Sequence, residues 1–290
     1  MTRVNRHLLF SIAISALLAL TFPIPAFLQS PDTDPALWVV RGQGATVYLF
    51  GRMAVPTETD WITPKVEEAF DASDILWLEN PSSDSEPVDE LIAELGFHKG
   101  YSVLNLLDES DRMRLVAILE RGGASPELLE GRKAWLSYLF VSNVIDRLNG
   151  IATSPDGYFR DQAEATEKEI RSEWPTMREF VQFAAALPDT THLQMIRKAL
   201  DGSGSYEELL EAWLRGDLEA LTQWSGDFAT KYPDAYRQLN SERNAKWVAF
   251  IQDMLTRGGT HFISVGIGHL NGPDSIVSRL ESTGFAVERL

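Results

Sequence analysis

Two stretches near opposite ends of the chain have the same form, an apolar run followed by a glycine turn. Residues 262–265, FISV, lead into GIGH, and residues 47–50, VYLF, lead into GRMA. Such runs are typical of buried strands, and each is followed by a helical pattern and a further apolar run. A strand, a helix and a strand in succession favour a right-handed crossover between parallel strands. The two ends of the chain therefore predict an α/β sheet.

The N-terminal unit begins with a predicted hairpin. Two β-rich runs within residues 37–50 are separated by RGQGA, a glycine-containing turn. Thr63 and Pro64 have the residue types of a helix N-cap and a first helical position. The helix leads to the apolar run 75–78, ILWL, which ends at Glu79.

The C-terminal unit repeats this order, and a long helical region lies between the two units. A helix is predicted to open at Pro273 and to end at Gly284, before a last strand at 285–290. Helical spacing dominates about residues 85–258, including residues 161–170. The predicted fold class is α/β, with β-α-β units at both ends forming one central sheet and a large helical insertion between them.

The first 30 residues have the composition of an export signal. Arg3 and Arg6 precede a long, largely apolar run, and two prolines follow it. A cleaved signal peptide and an uncleaved anchor at residues 8–22 are both consistent with this order. Either one predicts a periplasmic or extracellular protein that meets the membrane only through its N-terminal segment.

The remaining residues, 31–290, are predicted to form one acidic domain. The chain has a formal net charge of −16 and contains no cysteine. The negative charge disfavours binding to nucleic acid and to anionic lipid. The absence of cysteine excludes disulfides, thiolate metal ligands and a cysteine nucleophile.

Polar or glycine positions follow three of the predicted strands. They are the turn from Gly51 to Ala54, Glu79, and the turn from Gly266 to His269. In an open α/β sheet, ligands bind beyond the carboxyl ends of parallel strands. A carboxylate and an imidazole at neighbouring strand ends could share a metal ion or act in proton transfer.

The other histidines are interpreted as surface or capping residues. They are His98, His192 and His261, besides one in the N-terminal segment. His261 opens the strand that His269 follows, so at about 3.3 Å per residue the two lie roughly 20 Å apart and cannot share a metal ion. The glycines of residues 266–272 lack the spacing of a dinucleotide-binding turn.

Several of these segments together resemble the TraB/GumN family, whose relatives include the Tiki proteases. The similarity covers nearly the whole chain after residue 30, and the segments that carry it are 36–56, 66–79, 104–108, 212–221, 242–247 and 260–290. The resemblance implies a compact α/β fold with two facing G-x-x-H turns and a nearby acidic residue. In the Tiki branch this site is proposed to hold a divalent metal, such as Mn, Co or Zn, for peptide hydrolysis.

Carried over by position, the resemblance assigns catalytic roles to four residues. The second G-x-x-H turn ends at His269, the acid is Glu79, and an arginine-asparagine pair falls on Arg243 and Asn244. Glu79 and His269 would be the metal ligands. Because a cation in the first turn of a helix is unfavourable, we expect Arg243 to pair with Glu79.

The first G-x-x-H turn departs from the family pattern. It falls on residues 51–54, GRMA, so Ala54 stands where the family has histidine. A hydrolytic zinc-type metal usually takes three protein ligands and a water molecule, and His269 and Glu79 supply two. The sequence therefore predicts a degenerate metal site, which would hold no metal ion.

Arg52 offers a different use of the same strand ends. Its guanidinium could pair with Glu79 and replace the cation, giving a site for an anionic or carboxylate-bearing partner. The glycines that flank this position, Gly51, Gly266 and Gly268, are predicted to contact the bound molecule.

Three functions are consistent with these features. The first is an exported binding or regulatory module of the cell envelope with a peptide or protein partner. The second is an active divalent-metal-dependent peptidase or hydrolase that uses His269 and Glu79 with a substitute ligand. The third is an envelope accessory protein in which the cleft has no role. The sequence leaves enzymatic activity open.

Overall fold

A computed structural model describes residues 34–81, 87–202 and 205–290, apart from the side chains of residues 152 and 153. The predicted export segment, with its candidate anchor at residues 8–22, lies outside the described residues. Within the described part of the chain, no helix is both long and apolar enough to cross a membrane.

The strands and helices alternate at both ends of the chain, and helices dominate its middle. The strands are β1 (Leu37–Arg41), β2 (Ala45–Arg52), β3 (Val55–Pro56), β4 (Ile75–Leu78), β5 (Phe97–Ser102), β6 (Glu130–Arg132), β7 (Ile151–Thr153), β8 (Glu169–Ser172), β9 (Gly259–Gly266) and β10 (Val287–Arg289). The helices are α1 (Pro64–Asp71), α2 (Asp89–Gly96), α3 (Glu109–Arg121), α4 (Ala134–Leu148), α5 (Pro155–Ala165), α6 (Met177–Ala186), α7 (Asp189–Gly202), α8 (Tyr206–Leu214), α9 (Leu218–Lys231), α10 (Pro233–Tyr236), α11 (Glu242–Arg257) and α12 (Ile276–Ser282).

Six strands form a central mixed sheet in the order β10-β1-β2-β9-β4-β8. The predicted hairpin is confirmed, since β1 and β2 are antiparallel with Val39 opposite Tyr48. Strands β2, β9, β4 and β8 are parallel neighbours, and Phe262 of β9 lies between Tyr48 and Leu76. Strand β9 of the C-terminal unit therefore inserts between two strands of the N-terminal unit. The predicted α/β fold class is confirmed, with the two units interleaved in one sheet.

Helix α1 begins where its sequence predicts. The Thr63 hydroxyl accepts the backbone N–H of Val66 at 3.4 Å, and Pro64 occupies the first helical position, where no hydrogen-bond donor is needed. Val66, Ala69 and Phe70 form the buried face of the helix. This helix carries the chain from the hairpin to β4 and so positions Glu79.

Helix α12 begins later than the sequence predicts. Ser275 is its N-cap and accepts the backbone N–H of Ser278 at 3.1 Å, so the helix starts at Ile276, whereas the prediction placed its start at Pro273. Gly284 follows the helix with a φ of +93°, a left-handed conformation that favours glycine, as predicted.

The region between the two units differs from the prediction at residues 161–170, which are not one helix. Helix α5 ends at Ala165, Glu167 takes a left-handed conformation with a φ of +54°, and β8 begins at Glu169. Strand β8 pairs in parallel with β4, so the helical region contributes a strand to the central sheet. Four other strands form two separate pairs, β3 with β7 and β5 with β6.

The two larger apolar cores of the described residues support these elements. One packs aromatic rings against the sheet, among them Phe50, Phe159 and Phe262, and the other lies between α3, α4 and α7. Trp213 of α8 is fully buried in the first core, and its Nε1 donates to the carbonyl of Gly51 at 2.6 Å. This hydrogen bond connects helix α8 of the helical region to the end of β2.

We expect Trp213→Phe to lower the free energy of unfolding by about 2 kcal/mol, because it removes both ring volume and a buried hydrogen bond. Trp61→Phe is the matched control, since Trp61 is also buried but its indole bonds to no described residue. It should lower stability by about half as much. Urea denaturation measures both values, and equal losses would contradict a role for the Gly51 bond.

Candidate functional site

Charged side chains meet at the carboxyl ends of four parallel strands. Arg52 ends β2, Glu79 follows β4, Glu173 follows β8, and His269 lies on the turn after β9. Because these strands are parallel neighbours, their carboxyl ends share one edge of the sheet. The strand order therefore brings together residues that are far apart in the sequence.

Glu79 is the centre of this cluster and is only 6% exposed. Its Oε2 pairs with Nη2 of Arg52, and its Oε1 accepts a hydrogen bond from Nη2 of Arg243 at 3.1 Å. The same Oε1 lies 2.8 Å from Nε2 of His269. Both arginine pairs expected from the sequence are present, and one carboxylate joins three basic side chains.

Each arginine also contacts a second acid. Arg243 Nε donates to Glu173 Oε1 at 2.9 Å, and its Nη2 donates to Glu173 Oε2. Arg52 Nε lies 2.7 Å from Asp156 Oδ2 as an ion pair, and Ser264 Oγ donates to Asp156 Oδ1 at 2.7 Å. The cluster therefore alternates acids and bases, with Glu79 in the middle.

Asn244 fixes the orientation of the His269 ring. Its Nδ2 donates to the carbonyl of Asp274 at 2.8 Å, so its Oδ1 is the atom that faces the ring. Nδ1 of His269 lies 2.6 Å from this oxygen and must therefore carry the hydrogen. Nε2 then faces Glu79, and a hydrogen bond between them requires a second ring hydrogen. An imidazole held through Nδ1 in this way also resembles a metal-binding histidine.

Burial alone would raise the pKa of Glu79. The positive charge of Arg52, followed by His269 and Arg243, outweighs burial and holds the pKa of Glu79 well below its usual range. Asp156 shows the opposite result, because burial raises its pKa more than Arg52 lowers it. Glu79 is therefore ionised at neutral pH although it is buried.

A cavity of about 340 Å³ opens beside the cluster. Its base includes Glu79, Arg243 and His269, and aromatic rings from α4, α6 and α9 form much of its wall. Gly266 and Gly268 line it, and they also line an adjoining cavity of about 320 Å³. The charged cluster thus borders a largely apolar space.

The other predicted contact residues lie nearby in different settings. Arg52 and Ala54 line the second cavity, and the carbonyl of Ala54 accepts a hydrogen bond from the Tyr206 hydroxyl at 2.9 Å. Gly51 instead packs against Ile267, and a Cβ at Gly51 would lie 2.3 Å from Ile267 Cδ1. Gly51 therefore allows the turn after β9 to approach β2.

Two of the remaining histidines are buried, so the surface interpretation was wrong for them, although each ring lies beside a carbonyl at a helix end, that of Ala184 or Gly258. His192 lines the larger cavity, and His261 accepts a hydrogen bond from Trp77 Nε1 at 3.3 Å. His98 is exposed on β5, as expected. His192 follows two threonines at a helix start, but packing between α7 and its neighbours buries it.

Sequence reasoning missed Glu173 and Asp156. Glu173 follows β8, which the sequence led us to interpret as the end of a helix, and Asp156 lies in the first turn of α5. Only a weak signal existed for Glu173, because the one apolar residue of 169–172, EIRS, lies between two charged residues. Asp156 had no comparable signal, since an acid in the first turn of a helix is usually explained by its favourable interaction with the helix dipole.

The fold and the cluster together define a mixed α/β protein with a buried charged site at the carboxyl ends of its parallel strands. The family model described as TraB/PrgY/gumN family matches residues 36–289, and the chain belongs to that family. No curated protein and no solved structure matches the chain significantly.

The arrangement of this site does not fit the divalent metal that the family resemblance implies. Both carboxylate oxygens of Glu79 contact guanidinium groups, from Arg52 and Arg243, and these positive charges would repel a cation. Ala54 offers no ligand atom at the position of the first histidine. Only His269 retains the orientation expected of a metal ligand.

Glu173→Gln should lower the free energy of unfolding by about 3 kcal/mol, because it leaves the buried Arg243 short of one negative charge. Glu173 also accepts a hydrogen bond from Trp247 Nε1 at 3.0 Å. Glu169→Gln, four residues earlier and exposed beside Arg171, is the control and should change stability by less than about 0.5 kcal/mol. Similar effects of the two variants in urea denaturation would show that the buried network contributes little.

The low pKa of Glu79 predicts a loss of stability in acid. A group whose pKa is lowered on folding contributes stability above its unfolded pKa, about 4.3, and that contribution disappears as the pH falls. The free energy of unfolding should therefore decrease between about pH 5 and pH 3 more steeply in the natural chain than in Glu79→Gln. Glu288→Gln, at an exposed pair, should keep the natural slope, whereas parallel curves for all three proteins would contradict this prediction.

Proposed function

We propose that this TraB/PrgY/gumN family protein is an exported binding or regulatory module of the cell envelope. In this proposal its metallohydrolase-like site is degenerate, and a peptide or protein is its partner. The observation that carries the proposal is the pairing of both Glu79 oxygens with arginine. The composition of the first 30 residues supports export, as residues 8–22 could serve as a signal or an anchor.

The two guanidinium groups supply the positive charge that a divalent ion would otherwise provide. A guanidinium binds carboxylates through fixed hydrogen bonds, but it has no open coordination position for an activated water molecule. The cluster can therefore hold its shape and recognise charge, while metal-dependent hydrolysis would need the arginines to move. This difference favours binding over catalysis.

The cavity beside the cluster supports a role in binding. Its aromatic walls and its few charged groups are the composition typical of ligand sites, and its volume suits a side chain or a short peptide segment. The chain's net charge of −16 makes nucleic acid an unsuitable partner.

A second candidate function is metal-dependent hydrolysis with a substitute ligand. The bond between Asn244 and Nδ1 of His269 favours it, because it leaves Nε2 as the ligand atom. Asp156 is the acid that could act as the substitute, since it already contacts Arg52 within the same cluster. Displacement of Arg52 would free Glu79 and Asp156 together.

Calorimetric titration of the purified protein with Mn²⁺, Co²⁺ and Zn²⁺ separates the two functions. We expect no binding by the natural chain, and one ion bound by the double variant Arg52→Ala/Ala54→His, which restores a third ligand and removes the guanidinium from Glu79 Oε2. His269→Ala in this double-variant background is the control and should abolish that binding.

Binding of one ion by the natural chain, lost in His269→Ala, would instead favour the hydrolase. A peptide-cleavage assay with the bound metal would then follow.

A further inference from the structure

Lys198 of α7 lines the cavity without an acidic partner. Its Nζ lies 4.5 Å from the ring centroid of Trp224 and 4.6 Å from that of Phe228. Among the described residues, no carboxylate or hydrogen-bond acceptor pairs with it. The nearest acid along the helix, Asp201, is engaged by three other side chains. Lys198 is partly buried, and the described groups beside its ammonium group are these two aromatic rings.

Contact with two ring faces replaces only part of the hydration that an ammonium group loses on burial. Burial accordingly lowers the pKa of Lys198 to about 8. An anion next to Nζ would favour the charged form and complete the environment of this side chain. Lys198 is thus suited to form an ion pair with an anion that enters the cavity.

His192 provides a second incomplete group in the same cavity. Its side chain is buried, its Nε2 lies 3.0 Å from the carbonyl of Ala184, and its Nδ1 has no partner among the described residues. Nε2 must donate to the carbonyl, so Nδ1 carries a lone pair. Burial lowers the pKa of His192 and keeps the ring neutral. An N–H or O–H group of a ligand would satisfy Nδ1.

The charges around the cavity differ in sign from the protein as a whole. The chain carries a net charge of −16. In contrast, the charged side chains that line the cavity in the described part of the chain are one acid, Glu79, and two bases, Arg243 and Lys198. Arg243 pairs with both Glu79 and Glu173, so Lys198 is the charge among these three that has no opposite charge beside it in the described part of the chain. The cavity therefore favours an anion within an otherwise acidic protein.

We propose that this cavity binds an apolar molecule bearing a carboxylate, with Lys198 as the partner of the carboxylate and the aromatic walls around the apolar part. A peptide that ends in a large apolar residue has this chemistry, and its last amide N–H would donate to His192. A free apolar carboxylic acid has the carboxylate without the N–H. The inference rests on the proposed binding function and names the class of its ligand.

Titration calorimetry of the full chain in EDTA tests this inference with three probes. They are the peptide acetyl-Ala-Ala-Phe with a free carboxylate, the same peptide with an amidated C-terminus, and phenylpropionate. We expect the free-carboxylate peptide to bind at least about 10-fold more tightly than its amide, because the amide cannot pair with Lys198. Phenylpropionate separates the sources: tighter binding of the peptide indicates a peptide C-terminus, and equal binding indicates a free acid.

Variants of Lys198 identify the residue that recognises the carboxylate. Lys198→Met keeps the length of the side chain and should weaken binding of the carboxylate probe about 10-fold or more, whereas Lys198→Arg keeps the charge and should retain most of it. Lys99→Met, at an exposed lysine of β5, is the control and should bind as the natural chain does. Thermal melting of each variant excludes a loss of fold.

Two results would overturn the inference: equal binding of the acid and the amide, or no binding of either carboxylate probe. Neither result would bear on the metal titration, so the proposed function would stand if the natural chain binds no metal. Conversely, metal binding by the natural chain would overturn the proposed function whatever the carboxylate titration gives.

Discussion

The buried carboxylate of Glu79 sets the requirements for the rest of the site. An ionised carboxylate that is removed from water costs several kcal/mol unless opposite charges and hydrogen bonds surround it. Arg52 and Arg243 provide these, but each arginine is itself largely removed from water and needs a second acid, Asp156 or Glu173. Removal of any one of these charges would leave another charge without a partner. The cluster therefore depends on the strand order that brings all of its charges together.

The strand order explains how residues that are far apart in the sequence can meet this requirement. Strand β9 inserts between β2 and β4, so the C-terminal turn with His269 lies between Arg52 and Glu79 in the sheet. Strand β8 extends the sheet by one position and brings Glu173 beside Glu79. Neither terminal unit could form the cluster alone, because each contributes only part of its charge.

The sequence predicted those parts of the fold and the site that local patterns encode. The hairpin, the first helix and the strand end at Glu79 follow from apolar runs, a capping threonine and proline. Strand β8 escaped prediction because it is a short edge strand directly after a helix, and its four residues take strand form through pairing with β4. The burial of His192 and the bare ammonium of Lys198 also depend on packing between helices, which a local pattern does not record.

The charged cluster and the cavity wall differ in their side chains, and this difference has a consequence for specificity. The strand ends supply Arg52, Glu79 and His269, whose mutual contacts leave little freedom for substitution. Helices α4, α6 and α9 supply aromatic walls and α7 supplies Lys198, and none of these wall residues belongs to the ion pairs of Glu79. A change in a wall residue would alter the shape of the cavity without removing a buried charge. Changes in the cavity wall can therefore vary the ligand while the charged cluster is preserved.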